Sequence, residues 1–161
     1  MDLMQLCLGM AAAEKQAAQL MLEAREILAE NKTGQRDVVT EYDRKVQEQL
    51  IASLNALVPD ARFFCEENDR QDDLKAEHIF IIDPIDGTMN FVRHMNHSCI
   101  SVAYASRGEV KAAAVYNPYV DELFSAVKGQ GAWLNGRAIH VEDKHFTTIK
   151  QRCENPRAIM E

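Results

Sequence analysis

The sequence predicts an α+β fold: two N-terminal helices packed on an antiparallel sheet. Three observations carry this expectation. The chain opens with apolar residues recurring every three or four positions, the pattern of an amphipathic helix. A second run of the same kind stops at Pro59. Beyond it come short β-favouring segments separated by Gly, Asn and Pro turns. Helices first and a strand meander after them is the order of an α+β domain.

In the first helix, expected over 2–30, Leu6, Met10, Ala13, Ala17, Leu20, Met21, Ala24 and Leu28 form the stripe. Residues 31–40 are polar, carry Gly34 and read as a loop. The second helix is expected over 41–57, with Val46, Leu50, Ile51, Leu54 and Leu57 inward. "ARFFCEEN" begins as a short strand and ends in acid, and 68–78 is a charged loop. "HIFIID", residues 78–83, has the composition of a buried strand. The remaining strands turn at Arg107-Gly108-Glu109, at Asn117-Pro118-Tyr119 and at Gly129, Gly131 and Gly136, with Trp133 as a packing anchor. The sheet is therefore expected over about 62–141 and the domain over 1–141. Residues 142–161 lose periodicity and read as a tail.

The 161 residues suit one domain, and 47% apolar with 27% charged residues can build a core. A net charge of −7 argues against nucleic acid as the main partner, since phosphate backbones need a basic footprint. No apolar run is long enough to cross a bilayer, and Glu14 and Lys15 interrupt any signal-like segment. Cys7, Cys65, Cys99 and Cys153 are scattered, which suggests free thiols in a cytoplasmic protein rather than a disulfide framework or a zinc site.

Chemistry concentrates in "IIDPIDGTMNF", residues 81–91. Backbone pairing is expected to stop at about Asp83, where Pro84 presets a turn. Such a reversal can bring Asp83 and Asp86 toward one point. Like charges at close range are costly unless a cation lies between them. Mg²⁺ takes hard oxygen ligands and keeps several waters, and the Ile85 carbonyl could add a ligand. Gly87 allows close backbone approach, and a helix starting at Thr88 would point amides at an anion. On these residues alone, an Asp-Pro turn with Asp86 or Thr88 capping the next helix remains the competing account.

"DPIDGTMNF" resembles the signature of the inositol monophosphatase family, Mg²⁺-dependent and lithium-sensitive phosphatases. "DVVTEYD", Asp37 to Asp43, is similar to the family's D-x-V-T-x-x-D segment, and "FFCEEN" stands where the family has G-E-E. "AAAVYNPYVDELFSAVKGQGAWLNGRAI" resembles its strands ending in G-x-G-A-x-x-N-G. The match runs from about Lys32 to Val141. The resemblance implies hydrolysis of a small phosphate monoester, most simply inositol monophosphate, with Mg²⁺ as cofactor. It implies no nucleic-acid or membrane partner, and a homodimer at full length.

It also implies roles. Glu66 would be a metal ligand with Glu67 beside it, and Asp83 would bridge two cation positions. The Ile85 carbonyl would complete the first position, and Asp86 would serve the second. Gly87 and Thr88 would donate amides to the substrate phosphate. The Thr88 hydroxyl, paired with Asp43, would orient the attacking water. Lys32 would lie over the site. Without the resemblance, Glu66 and Glu67 read as solvated loop acids and Asp43 as a helix-dipole partner.

This sequence departs from the family in three places. Cys65 replaces a Gly, which could shift the loop. "HMNHS" replaces an expected proline and aromatic; His94 and His97 read as surface polarity or pocket rim rather than a metal pair. Nothing after Val141 resembles the second half of the family, with its W-D-x-A-x-G segment. The chain is therefore expected to be an amino-terminal part. A non-catalytic remnant and a sister sugar or nucleotide phosphatase are the alternatives.

Overall fold

The computed structural model of the chain describes residues 1–34, 37–67 and 73–141. The predicted tail, 142–161, lies outside them. Helix α1 spans Leu3–Glu23, and the Asp2 carboxylate caps it by accepting from the Met4 and Gln5 amides at 2.9 and 3.3 Å. Leu6, Met10, Ala13, Ala17, Met21 and Ala24 are buried as the stripe predicts. The helix ends earlier than expected. Leu28, the last member of the stripe, is 80% exposed. The apolar face runs out of core before helix propensity runs out, and tertiary pairing takes over the backbone. Strand β1, Ala29–Gly34, pairs antiparallel with β2, Asp37–Thr40, where a loop was expected.

Helix α2 spans Glu41–Leu57, matching the predicted bounds. Val46, Leu50 and Leu54 are fully buried, Ile51 is half-buried, and Leu57, expected inward, is 42% exposed with its side chain lying over Gly9 of α1. Strands β3 (Arg62–Cys65), β4 (Ile79–Asp86), β5 (Cys99–Ser106), β6 (Glu109–Asn117), β7 (Glu122–Val127), β8 (Gly131–Leu134) and β9 (Arg137–Ile139) form one sheet in sequential order. A short helix α3, Thr88–Val92, lies between β4 and β5.

The chain is α+β, with α1 and α2 packed on the sheet. The sheet is mixed rather than wholly antiparallel, because β3 runs parallel to β4. A parallel neighbour needs a crossover of roughly a dozen residues or more, and the connection 66–78 provides it. Elsewhere the meander holds. Arg107 and Gly108 both have positive φ, as do Asn135 and Gly136, which is the two-residue hairpin turn that matches strand twist. Trp133 packs against the core.

Phe63 stacks on Phe80 at 5.9 Å, and Phe80 meets Tyr104 at 5.4 Å, so the core is continuous from β3 to β5. Polar side chains are buried beside it, Glu14 on α1 and Asp43 and Gln47 on α2 among them. Glu14 is fully buried on α1, and neither carboxylate oxygen has a hydrogen-bond partner. Burial pushes its pKa well above the usual carboxylate range, and the Val102 backbone, too poorly aligned for a full hydrogen bond, offsets this only in part.

Candidate active site

The two carboxylates of the motif are separated by a β-bulge. Asp83 pairs with Ser101 and Asp86 with Cys99, so the β4 ladder carries one residue more than β5 between them. Pairing thus continues past Asp83, beyond the expected stop. Pro84 fits here because it has no N–H to lose. The bulge turns Ile85 inward, where it is 1% exposed, and leaves Asp86 outward.

Gly87 follows with φ 88° and is the N-cap residue of α3. No side chain caps that helix, so neither Asp86 nor Thr88 plays the capping role of the competing account. A Cβ on Gly87 would meet the His97 carbonyl at 2.9 Å. Gly87→Ala is therefore expected to cost about 1–3 kcal/mol, from backbone strain and this contact together. Denaturant melts that match the wild type would contradict it. His94 and His97 are exposed, and the segment's visible task is local: the Asn90 side-chain amide donates to the His97 carbonyl at 2.8 Å.

Asp43 sits in the first turn of α2 and is 1% exposed. One of its oxygens, Oδ2, accepts from the Thr40 amide at 2.8 Å and the Thr40 hydroxyl at 2.5 Å, closing a capping box. The other, Oδ1, faces the Thr88 hydroxyl at 3.2 Å. Asp43 therefore supports its helix and reaches the motif at the same time. The Thr88 hydroxyl also lies 3.1 Å from the Ile85 carbonyl. Its single hydrogen serves two acceptors, and its lone pairs remain available to an incoming O–H donor.

Asp83 is the most perturbed group at this point. Its Oδ1 is buried and has no hydrogen-bond partner. Burial first, then the charges of Glu66, Asp86 and Asp43 and a hydrogen bond with Glu66, push its pKa up to about 8. Four acids thus share one field, and among the described residues no cationic side chain offsets them at Asp83. Cys99, unforeseen from sequence, places its Sγ 3.7 Å from Asp86 Oδ2 and is itself pushed up to about 11, by burial and then by Asp86.

Glu66 follows β3, and its amide donates to the Ile82 carbonyl at 3.1 Å, which extends the parallel pairing by one residue. Cys65 sits in extended backbone, fully buried and paired with Ile82. The positive-φ residues are elsewhere, so Cys65 needs no glycine-like backbone here and gives no cause for the shifted loop that was expected. Glu67 is 6% exposed, and its backbone is held by Gln47, a residue the sequence reading did not select. Lys32 lies on β1, and its side chain is outside the described residues.

Among the described residues, no three acidic, histidine or cysteine side chains close into a ready-made metal cage. A hard cation nevertheless fits the donors present. An orphaned buried carboxylate oxygen beside three further acids is an oxygen-rich site short of positive charge. Mg²⁺ completes its shell with water and needs only one or two carboxylates from a protein.

The sequence model of the inositol monophosphatase family matches residues 4–157. The fructose-1,6-bisphosphatase/inositol-1-monophosphatase of Thermotoga maritima is 40% identical over 114 residues, 71% of this chain and 43% of that protein. Nus factor SuhB of Vibrio cholerae is 35% identical over 121 residues, 75% of this chain and 45% of that protein. A crystal structure of an IMPase/NADP phosphatase complexed with Mg²⁺ and phosphate superposes with a TM-score of 0.76 at 28% identity, covering 90% of this chain and 56% of that one. The chain spans less than half the length of these two curated relatives.

Proposed function

Because this chain belongs to the inositol monophosphatase family, we propose that its acidic cradle serves Mg²⁺-dependent hydrolysis of a phosphate monoester, with inositol monophosphate as the substrate. The observation that carries this reading is the buried, unpartnered Asp83 Oδ1 among Glu66, Asp86 and Asp43. The similar fold that binds Mg²⁺ and phosphate supports it.

Glu66, Asp83 and the Ile85 carbonyl would hold one cation, and Asp83 with Asp86 would contribute to a second position. When bound, Mg²⁺ supplies charge neutralisation for the phosphate and a lower pKa for water. The chain's own residues do the remaining work. Asp43 Oδ1 accepts the Thr88 hydroxyl hydrogen, which frees a Thr88 lone pair to take a proton from the attacking water. The same bond fixes the rotamer of Thr88, so the water is oriented as well as polarised. The Gly87 and Thr88 amides precede the first intrahelical donors of α3, the Asn90 and Phe91 amides to the Gly87 carbonyl, and would meet the phosphate oxygens. Glu67 stands behind Glu66, and Lys32 would screen charge from β1. No described helix is long and apolar enough to cross a membrane. We place the protein in the cytoplasm with a small, water-soluble phosphate ester as its partner.

The test is phosphate release from inositol 1-phosphate with Mg²⁺, comparing wild type with Thr88→Ala. Loss of this proton acceptor is expected to lower kcat about 10²-fold or more while leaving Mg²⁺ affinity in place. Equal turnover would remove Thr88 and Asp43 from the mechanism. The open geometry of the cradle favours one second reading: no three acidic, histidine or cysteine side chains close into a cage among the described residues, so the chain takes up the cation without turnover. Mg²⁺ uptake with no phosphate release selects that reading.

A further inference from the structure

Helix α2 carries two buried polar side chains one turn apart, Asp43 and Gln47, each 1% exposed. Four residues apart on a helix, they share a face. Asp43 holds the Thr88 turn. Gln47 reaches a different chain segment twenty residues on, and its amide grips one residue from both sides. Its Oε1 accepts from the Glu67 N–H at 3.1 Å, and its Nε2 donates to the Glu67 carbonyl.

These two bonds close on backbone, so they fix where the segment runs and not which side chain it carries. Glu66 directly precedes the clamped residue, and its own amide is tied to the Ile82 carbonyl at 3.1 Å. Glu66 is thus held from both ends, by β4 on one side and by α2 on the other. We propose that Gln47 is a positioning residue for the cation site: together with Asp43 it makes one face of α2 set the Glu66–Glu67 segment and the Thr88 turn at a fixed separation around Asp83. This rests on the cation reading above.

A glutamine suits the task where other residues would not. The peptide group of Glu67 presents one donor and one acceptor, and a side-chain amide is the matching pair. Glutamate at this position could accept from the N–H but would set a carboxylate against the Glu67 carbonyl. An apolar residue would leave both buried backbone groups without their present partner.

The experiment combines amide hydrogen exchange with a Mg²⁺ titration on the full chain, for wild type, Gln47→Ala and the volume-conserving Gln47→Glu. Gln47→Ala is expected to speed exchange of the Glu67 amide about tenfold or more, while the amides of Leu50 and Leu54 keep their protection. It is also expected to weaken Mg²⁺ affinity by about 10–100-fold, as loss of a residue that orients metal ligands does. Gln47→Glu keeps the acceptor for the Glu67 N–H but sets a carboxylate against its carbonyl, so it should likewise speed exchange of the Glu67 amide. A merely structural role would slow or speed exchange throughout α2 and lower stability without changing Mg²⁺ affinity. Unchanged Glu67 exchange, or unchanged Mg²⁺ affinity in a folded variant, overturns the proposal. If the wild type takes up no Mg²⁺, the cation reading fails and the proposal fails with it. The Glu67 exchange then shows whether the clamp survives as a structural contact alone.

Discussion

Asp83→Asn is expected to stabilise the cation-free protein and to abolish its response to Mg²⁺. In the wild type, Asp83 keeps a buried oxygen without a partner, and its neighbours Glu66, Asp86 and Asp43 are all acids. That arrangement costs folding free energy in the absence of a cation. An amide is isosteric, carries no charge and donates to carboxylates, so the repulsion becomes attraction. A gain of about 1 kcal/mol is expected, some 2–4 °C in melting temperature. The same substitution removes the ligand shared by both cation positions, so added Mg²⁺ should no longer raise the melting temperature. A variant destabilised without Mg²⁺, or stabilised by Mg²⁺ as strongly as wild type, contradicts the assignment.

The second large effect lies far from the cradle. Glu14→Met is expected to stabilise the protein at neutral pH by about 1–3 kcal/mol, since it removes a buried carboxyl whose oxygens have no partners and keeps the volume filled. Among the described residues, the titratable groups in the field of Glu14 are the thiols of Cys7 and Cys99, and neither supplies a compensating positive charge. The pH dependence has a definite sign. The unfolded chain releases the Glu14 proton near pH ~4.3, whereas the folded chain holds it to a higher pH. In that window the folded state binds more protons, so stability falls as pH rises from the unfolded pKa toward the folded one. Below both values this cost is absent. Glu14→Met should remove this part of the slope in urea melts between pH 4 and neutrality. Parallel curves for variant and wild type would contradict it.

The places where sequence and structure part have identifiable causes. Local pattern made the bounds of α2 legible, because its apolar stripe and Pro59 agree; Leu57, expected inward, is the member that stays exposed. The end of α1 was not legible: Ala, Glu and Leu continue past Glu23, and only the limits of the core decide that Leu28 has nothing to pack on. The parallel β3–β4 pair depends on the long connection after Cys65, which a period-two reading does not weigh. In the cradle, motif residues are nearest neighbours in sequence, so Asp83, Asp86, Gly87 and Thr88 could be picked out directly. Gln47 and Cys99 act through contacts twenty and thirteen residues away, and no spacing announces those. Gln47 lies one turn beyond Asp43, which is the signal that could have drawn attention to it. Glu14 falls among Met10, Ala13, Ala17 and Ala18, so helical periodicity alone marks it as a core position despite its charge.

A titration of the chain with Mg²⁺, followed by NMR shifts of backbone amides, tests the cation cradle most directly. The account predicts saturable shifts at Glu66, Asp83, Asp86, Gly87 and Thr88, with the remainder of the sheet unmoved. Shifts confined to exposed acids such as Glu77 and Glu109, or none at all at millimolar Mg²⁺, would contradict it.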